Sequence, residues 1–247
     1  LTGRKATAAG RQGGLTVGLI GELDAVSCFG HPRGDKQTGA AHACGHNAQL
    51  AGAYGALLAL IRSGALGELD GNVALLYFGG KQQMILEGAF DGVDLAMMLH
   101  AHPDMPEAGL NLDGESLGFT AKTIDFYGKA AHGSMPHEGV NALNAAMLGL
   151  MGIHANREIF RDEDHIRIHP IVTSGGAVVN SVPDHVRIET YVRGARAEAI
   201  AGACEVVDRS IGGAAMTVGA RAEIATVPGY LPLRQDRALG RVMEQNA

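Results

Sequence analysis

Leu15-Thr16-Val17-Gly18-Leu19-Ile20 is a mainly apolar run that ends in Gly21-Glu22-Leu23-Asp24. A short run without regular polar alternation reads as a strand buried on both faces, as in parallel sheets. A loop rich in Gly, Pro and charge follows over residues 28–41. From His46 to about Arg62, Leu50, Ala51, Tyr54, Leu57, Leu58 and Ile61 recur at helical spacing, and Ser63-Gly64 supplies a stop. Residues 73–78 form a second apolar strand, and a short helix over 84–90 leads to a third at 95–99. Strand–helix–strand alternation predicts an α/β fold whose parallel or mixed sheet is covered by helices.

The character of the chain changes near Gly114. Residues 119–127 alternate like a half-exposed strand, 141–153 read as a helix, and 166–173 and 185–193 as strands. A helix over 198–211 and a strand over 217–227 complete a β-α-β-β-α-β order, the ferredoxin-like arrangement. Pro228-Gly229 marks its exit, and 236–247 read as the start of a further helix. The expected organisation is therefore a first α/β domain over 1–114, a second domain over 115–228 and a returning segment over 229–247.

Bulk properties narrow the function classes. With 247 residues, 46% of them hydrophobic, the chain is long enough for two modest domains. Its formal charge is −6 and no basic cluster stands out, which argues against a nucleic-acid partner. No apolar run is long enough to span a bilayer, and residues 1–14 lack the basic-then-apolar order of a secretory signal. Three widely spaced cysteines, Cys28, Cys44 and Cys204, do not suggest a disulfide framework, so a reducing, cytoplasmic setting is expected.

Open α/β sheets present the carboxyl ends of their strands to a ligand crevice. Here those ends carry Asp24, the 79–83 region and His100. Cys44 and His46 precede and open the first helix; a thiolate and an imidazole two residues apart can turn toward one divalent ion. Asp24 is placed to orient a ligand imidazole. The pair alone leaves a second reading open, because a free cysteine is often only a small buried hydrophobe. It is too close in sequence for an obvious nucleophile–base couple, whose members usually come from separate elements.

Several longer stretches share one likeness. Gly21-Glu22-Leu23-Asp24-Ala25, His42-Ala43-Cys44-Gly45-His46-Asn47 and Glu87-Gly88-Ala89-Phe90 with Asp94 and His100 stand in order in the first part. Gly128-Lys129-Ala130-Ala131-His132, Gly175 through Asn180 to Asp184, and Tyr191-Val192-Arg193 follow in the second. Together they resemble the aminoacylase-like metallopeptidases, in the branch of aminobenzoyl-glutamate hydrolases, indole-acetyl-amino-acid hydrolases and related dipeptidases. The resemblance implies a co-catalytic α/β metallopeptidase domain with an inserted ferredoxin-like lid that dimerises. It implies two divalent metal ions, Zn or Mn, and hydrolysis of the amide bond of an N-acyl amino acid or dipeptide-like small molecule. Cys44, His46 and His100 match metal ligands, with His102 beside His100 as an extra candidate, and Asp24 matches the supporting acid. His132 matches a lid histidine that reaches the partner subunit's site and steadies the developing oxyanion. Asn180 matches a substrate-side asparagine, and Arg193 an arginine for the substrate carboxylate.

One motif departs from that pattern. The family carries a Pro-Ala-Glu-Glu type segment after the second strand, supplying a general base and a metal ligand. This chain reads Gly79-Gly80-Lys81-Gln82-Gln83-Met84 there. Either Gln82 and Gln83 replace the glutamates, or the glutamate loop is missing and residues 81–90 match the helix after it. The second alignment keeps Glu87-Gly88-Ala89-Phe90 in register. In both, the catalytic carboxylate is absent, which leaves a non-catalytic binding or dimerisation homologue as the rival reading. Both ends are also expected to be short of the family's length.

Overall fold

A computed structural model describes residues 3–102, 112 and 114–246. The side chains of Lys81, Gln82 and Gln83 lie outside the described set, so the two glutamines stay a sequence reading. The chain divides into two compact units, Leu1–Gly109 and Leu110–Ala247.

The first unit holds strands β1 (Gly3–Ala9), β2 (Gln12–Glu22), β3 (Val26–Ser27) and β4 (Ala40–Ala41), then helix α1 (His46–Arg62). Strand β5 (Asp70–Phe78), helix α2 (Lys81–Leu86) and strand β6 (Leu95–Met98) follow. The main sheet runs β1-β5-β2-β6, with β5 and β6 parallel to β2 and β1 antiparallel to β5. The sheet is thus mixed, and β1, whose Arg4 to Thr7 are exposed, gave no apolar signal in the sequence. The central β5 is covered on both faces. Val73 and Leu75 pack with Leu57 of α1 and with Leu66, while Ala74, Leu76 and Phe78 pack with Met84 of α2. That double burial is why its sequence is a continuous apolar run. Only Gly79-Gly80 separate β5 from α2, so the backbone passes directly from strand to helix.

The second unit holds β7 (Gly118–Tyr127), α3 (Ala142–Ala155), β8 (Arg167–Ile168), β9 (Ile171–Ser174), β10 (His185–Gly194), α4 (Ala197–Val218), β11 (Arg221–Pro228) and α5 (Arg237–Gln245). Its antiparallel sheet runs β11-β7-β10-β8, with β9 also on β10. This is the ferredoxin-like order, with the strand expected at 166–173 split at His169-Pro170, since proline cannot donate to a ladder. The core follows from period-two alternation: Ile124, Phe126, Val186, Ile188 and Val192 face α3 and α4 and meet Ala145, Ile153, Val207 and Ile211. Helix α4 continues to Val218, past the Ile211 end expected from sequence, and Gly219 closes it in the left-handed conformation. Thr217, read as the start of the last strand, is therefore helical. Residues 229–233 pack beside β7, where the Phe119 N–H donates to the Tyr230 carbonyl at 2.9 Å.

Candidate metal centre

Parallel pairing aligns the carboxyl ends of β2 and β6. Ile20 pairs with Met98, so Glu22 and His100 each stand two residues past the same register pair. Helix α1 begins at His46, directly after Gly45, whose φ of 84° is left-handed. A Cβ on Gly45 would also meet the Ala101 Cβ at 3.1 Å, so glycine is needed both for the turn and for the approach of the 100–101 segment. The tight turn puts Cys44 and His46 on one side of the strand ends.

The His46 side chain is buried at 6% exposure. Its Nδ1 lies 2.9 Å from the Asp24 carbonyl and 3.2 Å from Asp24 Oδ1. His100 Nδ1 lies 2.7 Å from the Ala101 carbonyl. Carbonyl oxygens only accept, so each imidazole carries a proton on Nδ1, and Nε2 is the atom that the neutral ring would turn to a metal. The two Nε2 atoms are 3.3 Å apart, and the rings meet edge to face at 81°. Two lone pairs at that separation repel unless a cation stands between them. Cys44 Sγ joins the group, the donor atoms of Cys44, His46 and His100 lying within 4.8 Å of one another. Sulfur with two imidazoles is a donor set of the kind that binds Zn.

A second group overlaps the first: Glu22, Asp24 and His46 also lie within 4.8 Å. Glu22 was quoted in the sequence motif but not singled out, and it is 1% exposed. Its Oε2 is 3.2 Å from His46 Nε2. Gln49 was also missed. Its Oε1 accepts the Glu22 N–H at 2.7 Å, and its Nε2 donates to the Leu99 carbonyl at 2.5 Å and to Glu22 Oε2 at 3.2 Å. The available signals were modest: Glu22 closes an apolar strand in phase with Ile20, and Gln49 shares a helix face with His46 three residues on.

The other predicted residues lie in the second unit. His132 and Asn180 are brought together, since His132 bridges Ser181 and the Gly133 N–H donates to the Asn180 carbonyl at 2.7 Å. The Ser134 N–H donates to His132 Nδ1 at 3.2 Å, with Ser134 Oγ at 2.7 Å. His132 therefore carries its proton on Nε2, as a neutral donor directed away from Ser134. Arg193 is not with them. It sits at the far end of β10, eight residues from His185 or about 26 Å at strand rise. Its guanidinium lies 5.5 Å from the Phe119 ring and 5.3 Å from the Tyr191 ring.

Among the remaining thiols, burial pushes that of Cys204 up, in keeping with a packing role against the core of the second unit. Cys28, Cys44 and Cys204 are all free. No helix among the described residues is long and apolar enough to cross a membrane.

Comparison with known proteins gives the same direction. The peptidase dimerisation domain model of the M20 peptidases matches residues 115–209. The human Xaa-Arg dipeptidase is 34% identical over 193 residues, 72% of this chain but only 39% of the dipeptidase. An N-acetyl-L-cysteine deacetylase of Bacillus subtilis is 28% identical, over 78% of this chain and 49% of the deacetylase. The chain thus spans less than half the length of either. The crystal structure of a Bacillus subtilis dinuclear metal-binding peptidase of the M20 family shares the fold, with a TM-score of 0.69 at 22% identity over 98% of this chain and 65% of that one. With motifs in order through both units, the chain belongs to the aminoacylase-like M20 family of peptidases and amidohydrolases.

Proposed function

We propose that this chain carries the metal-holding and lid portions of a hydrolase that cleaves the amide bond of an N-acyl amino acid or a dipeptide-like small molecule. The observation that carries the reading is the convergence of Cys44, His46 and His100, whose donor atoms lie within 4.8 Å of one another with the two Nε2 atoms 3.3 Å apart. A divalent ion held there, Zn or Mn, supplies Lewis-acid polarisation of a carbonyl and acidifies water. Asp24 fixes the His46 tautomer through its carbonyl and carboxylate. The donor set accounts for one ion, and the carboxylates of Glu22 and Asp24, grouped beside His46, offer oxygen donors toward a second.

His132 presents Nε2–H to oxygen, the state an oxyanion donor needs. Asn180, held beside it, serves the substrate amide, and Arg193, kept in place by two aromatic rings, serves a substrate carboxylate. We assign residues 115–228 to the lid and 229–247 to the start of a returning segment. The chain pairs as a homodimer through its lids, an assignment supported by the exposed Met147, Leu148 and Met151 on α3 and Ile171 on β9. Three free cysteines fit a reducing, cytoplasmic setting.

A second reading has one specific observation in its favour: β5 passes into α2 through Gly79-Gly80, with no glutamate between Phe78 and Glu87. On that reading the chain binds metal and dimerises without turnover. The test is metal content by mass spectrometry together with hydrolysis of acyl-amino acids, dipeptides and aminobenzoyl-glutamate by the metal-loaded 247-residue chain. Metal with turnover supports the hydrolase, metal without turnover supports the second reading, and no bound metal refutes both.

A further inference from the structure

We propose that a basic pocket between α3 and β8 binds a small molecule with a phosphate head and an apolar body. The site is built wholly from the second unit, and its evidence is independent of the metal-site reading.

The segment that leaves α3 carries Arg157, Arg161, His165 and Arg167 in close succession. All four line one pocket of about 340 Å³, the size of a small-ligand site. The chain carries a formal charge of −6, so this gathering of cations runs against its overall balance. Asp162 lines the pocket as well, and the Arg161 guanidinium stands 3.8 Å from Glu163 in a pair that is exposed on both sides and correspondingly weak. The other two arginines are held by backbone. Arg157 Nη2 donates to the Ile168 carbonyl at 3.4 Å, and Arg167 Nη1 to the Ile166 carbonyl at 3.0 Å. Neither has a carboxylate partner among the described residues. A guanidinium has five N–H donors in a planar fork, so most of theirs remain for a ligand. Like charges gathered in this way repel, and a dianion set among them removes the repulsion. Phosphate matches three guanidiniums better than a carboxylate does, having a second charge and a third acceptor oxygen.

The walls are fixed from beneath. Buried Asp164 accepts from Arg196 Nε at 2.7 Å, and its carbonyl accepts the Ala195 N–H at 2.8 Å, which ties the segment to the junction of β10 and α4. His165 follows with a left-handed φ of 47° and offers a ring N–H in either tautomer. Phe160 and Ile166 also line the pocket and pack against the core of the second unit, giving the body of the ligand an apolar surface.

The test is isothermal titration calorimetry of the 247-residue chain with inorganic phosphate, phenyl phosphate and benzoate at constant ionic strength. Phosphate is expected to saturate one site per chain at millimolar concentration, and phenyl phosphate to bind at least about fivefold more tightly. Arg157→Gln and Arg167→Gln should each weaken phenyl phosphate at least about tenfold. Arg11→Gln, at an exposed arginine of the first unit, should leave it unchanged. Circular dichroism establishes that each variant is folded, and the Arg167 variant decides the matter if the Arg157 variant is not. No saturable phosphate binding overturns the proposal, as does an isotherm that survives both pocket variants or an equal loss in Arg11→Gln. Benzoate binding as tight as that of phenyl phosphate overturns it too, because the pocket is then a carboxylate site.

Discussion

Replacing Gln49 with Leu removes the tie between the ends of β2 and β6 while nearly conserving volume. Three hydrogen bonds go: the Glu22 N–H to Oε1, and Nε2 to the Leu99 carbonyl and to Glu22 Oε2. The Glu22 N–H is left buried without that acceptor, at a cost of about 1–3 kcal/mol. The bond to the carboxylate adds about 1.5 kcal/mol or more, whereas the Leu99 carbonyl, on a 57% exposed residue, is open to water and adds less. Burying the leucine returns about 1 kcal/mol, because Gln49 is 8% exposed. The net destabilisation is about 2–4 kcal/mol, a large share of the roughly 5–15 kcal/mol typical of a domain. Urea titration followed by circular dichroism reads it as a lower midpoint for the unit containing α1 with an unchanged slope. Metal affinity should fall about tenfold, since Glu22 and His100 lose their common brace. A change below about 0.5 kcal/mol, the usual range of an inert surface substitution, would refute the assignment of Gln49 as that brace.

Other perturbations probe the second unit. Arg187 holds the Asp125 carboxyl below its usual range through hydrogen bonds at 2.8 and 3.0 Å, with desolvation opposing and His185 helping. A depressed carboxylate stabilises the fold above its unfolded pKa and loses that contribution as pH falls through the folded value. Asp125→Asn should therefore flatten the acid limb of stability below about pH 4, measured as melting temperature against pH; an unchanged limb would count against the pair. Gly128→Ala drives a Cβ into the Val140 carbonyl oxygen, a backbone atom, and should cost at least about 1–3 kcal/mol in urea. Phe126→Ala, at a fully buried site, should cost about 3–5 kcal/mol in the same assay. Met147→Lys with Met151→Lys should shift the chain from dimer to monomer in sedimentation without loss of helix signal, and a persistent dimer would move the interface elsewhere.

The parts of the fold that follow a strong period were legible in the sequence. The alternation of β7 and β10 and the apolar run of β5 each have a single burial solution, so their elements fell within a few residues. Strand β1 was missed because it is an exposed edge, held by ladder bonds to β5 that no side-chain pattern encodes. Helix α4 outruns the end expected at Ile211 because, although Gly212 and Gly213 are poor helix formers, the buried Ala214 and Ala215 carry it on to Val218. At the candidate site, Cys44, His46 and His100 were legible in the sequence because they lie at strand and helix ends. Glu22 and Gln49 were not, because what distinguishes them is contact across 27 residues and near-complete burial, which exist only after the strand ends meet the helix. The motif that singles out Arg193 carries no distance; its place at the far end of β10 from His185 follows from the length of the strand.

Zinc K-edge X-ray absorption of the zinc-loaded chain tests most directly whether Cys44, His46 and His100 hold a metal ion. The structure calls for one sulfur at about 2.3 Å and nitrogen and oxygen scatterers at about 2.0–2.2 Å, with imidazole outer-shell features. In Cys44→Ser the sulfur shell should vanish. A shell of oxygen and nitrogen alone in the wild-type protein, or a sulfur shell that survives Cys44→Ser, would contradict the account.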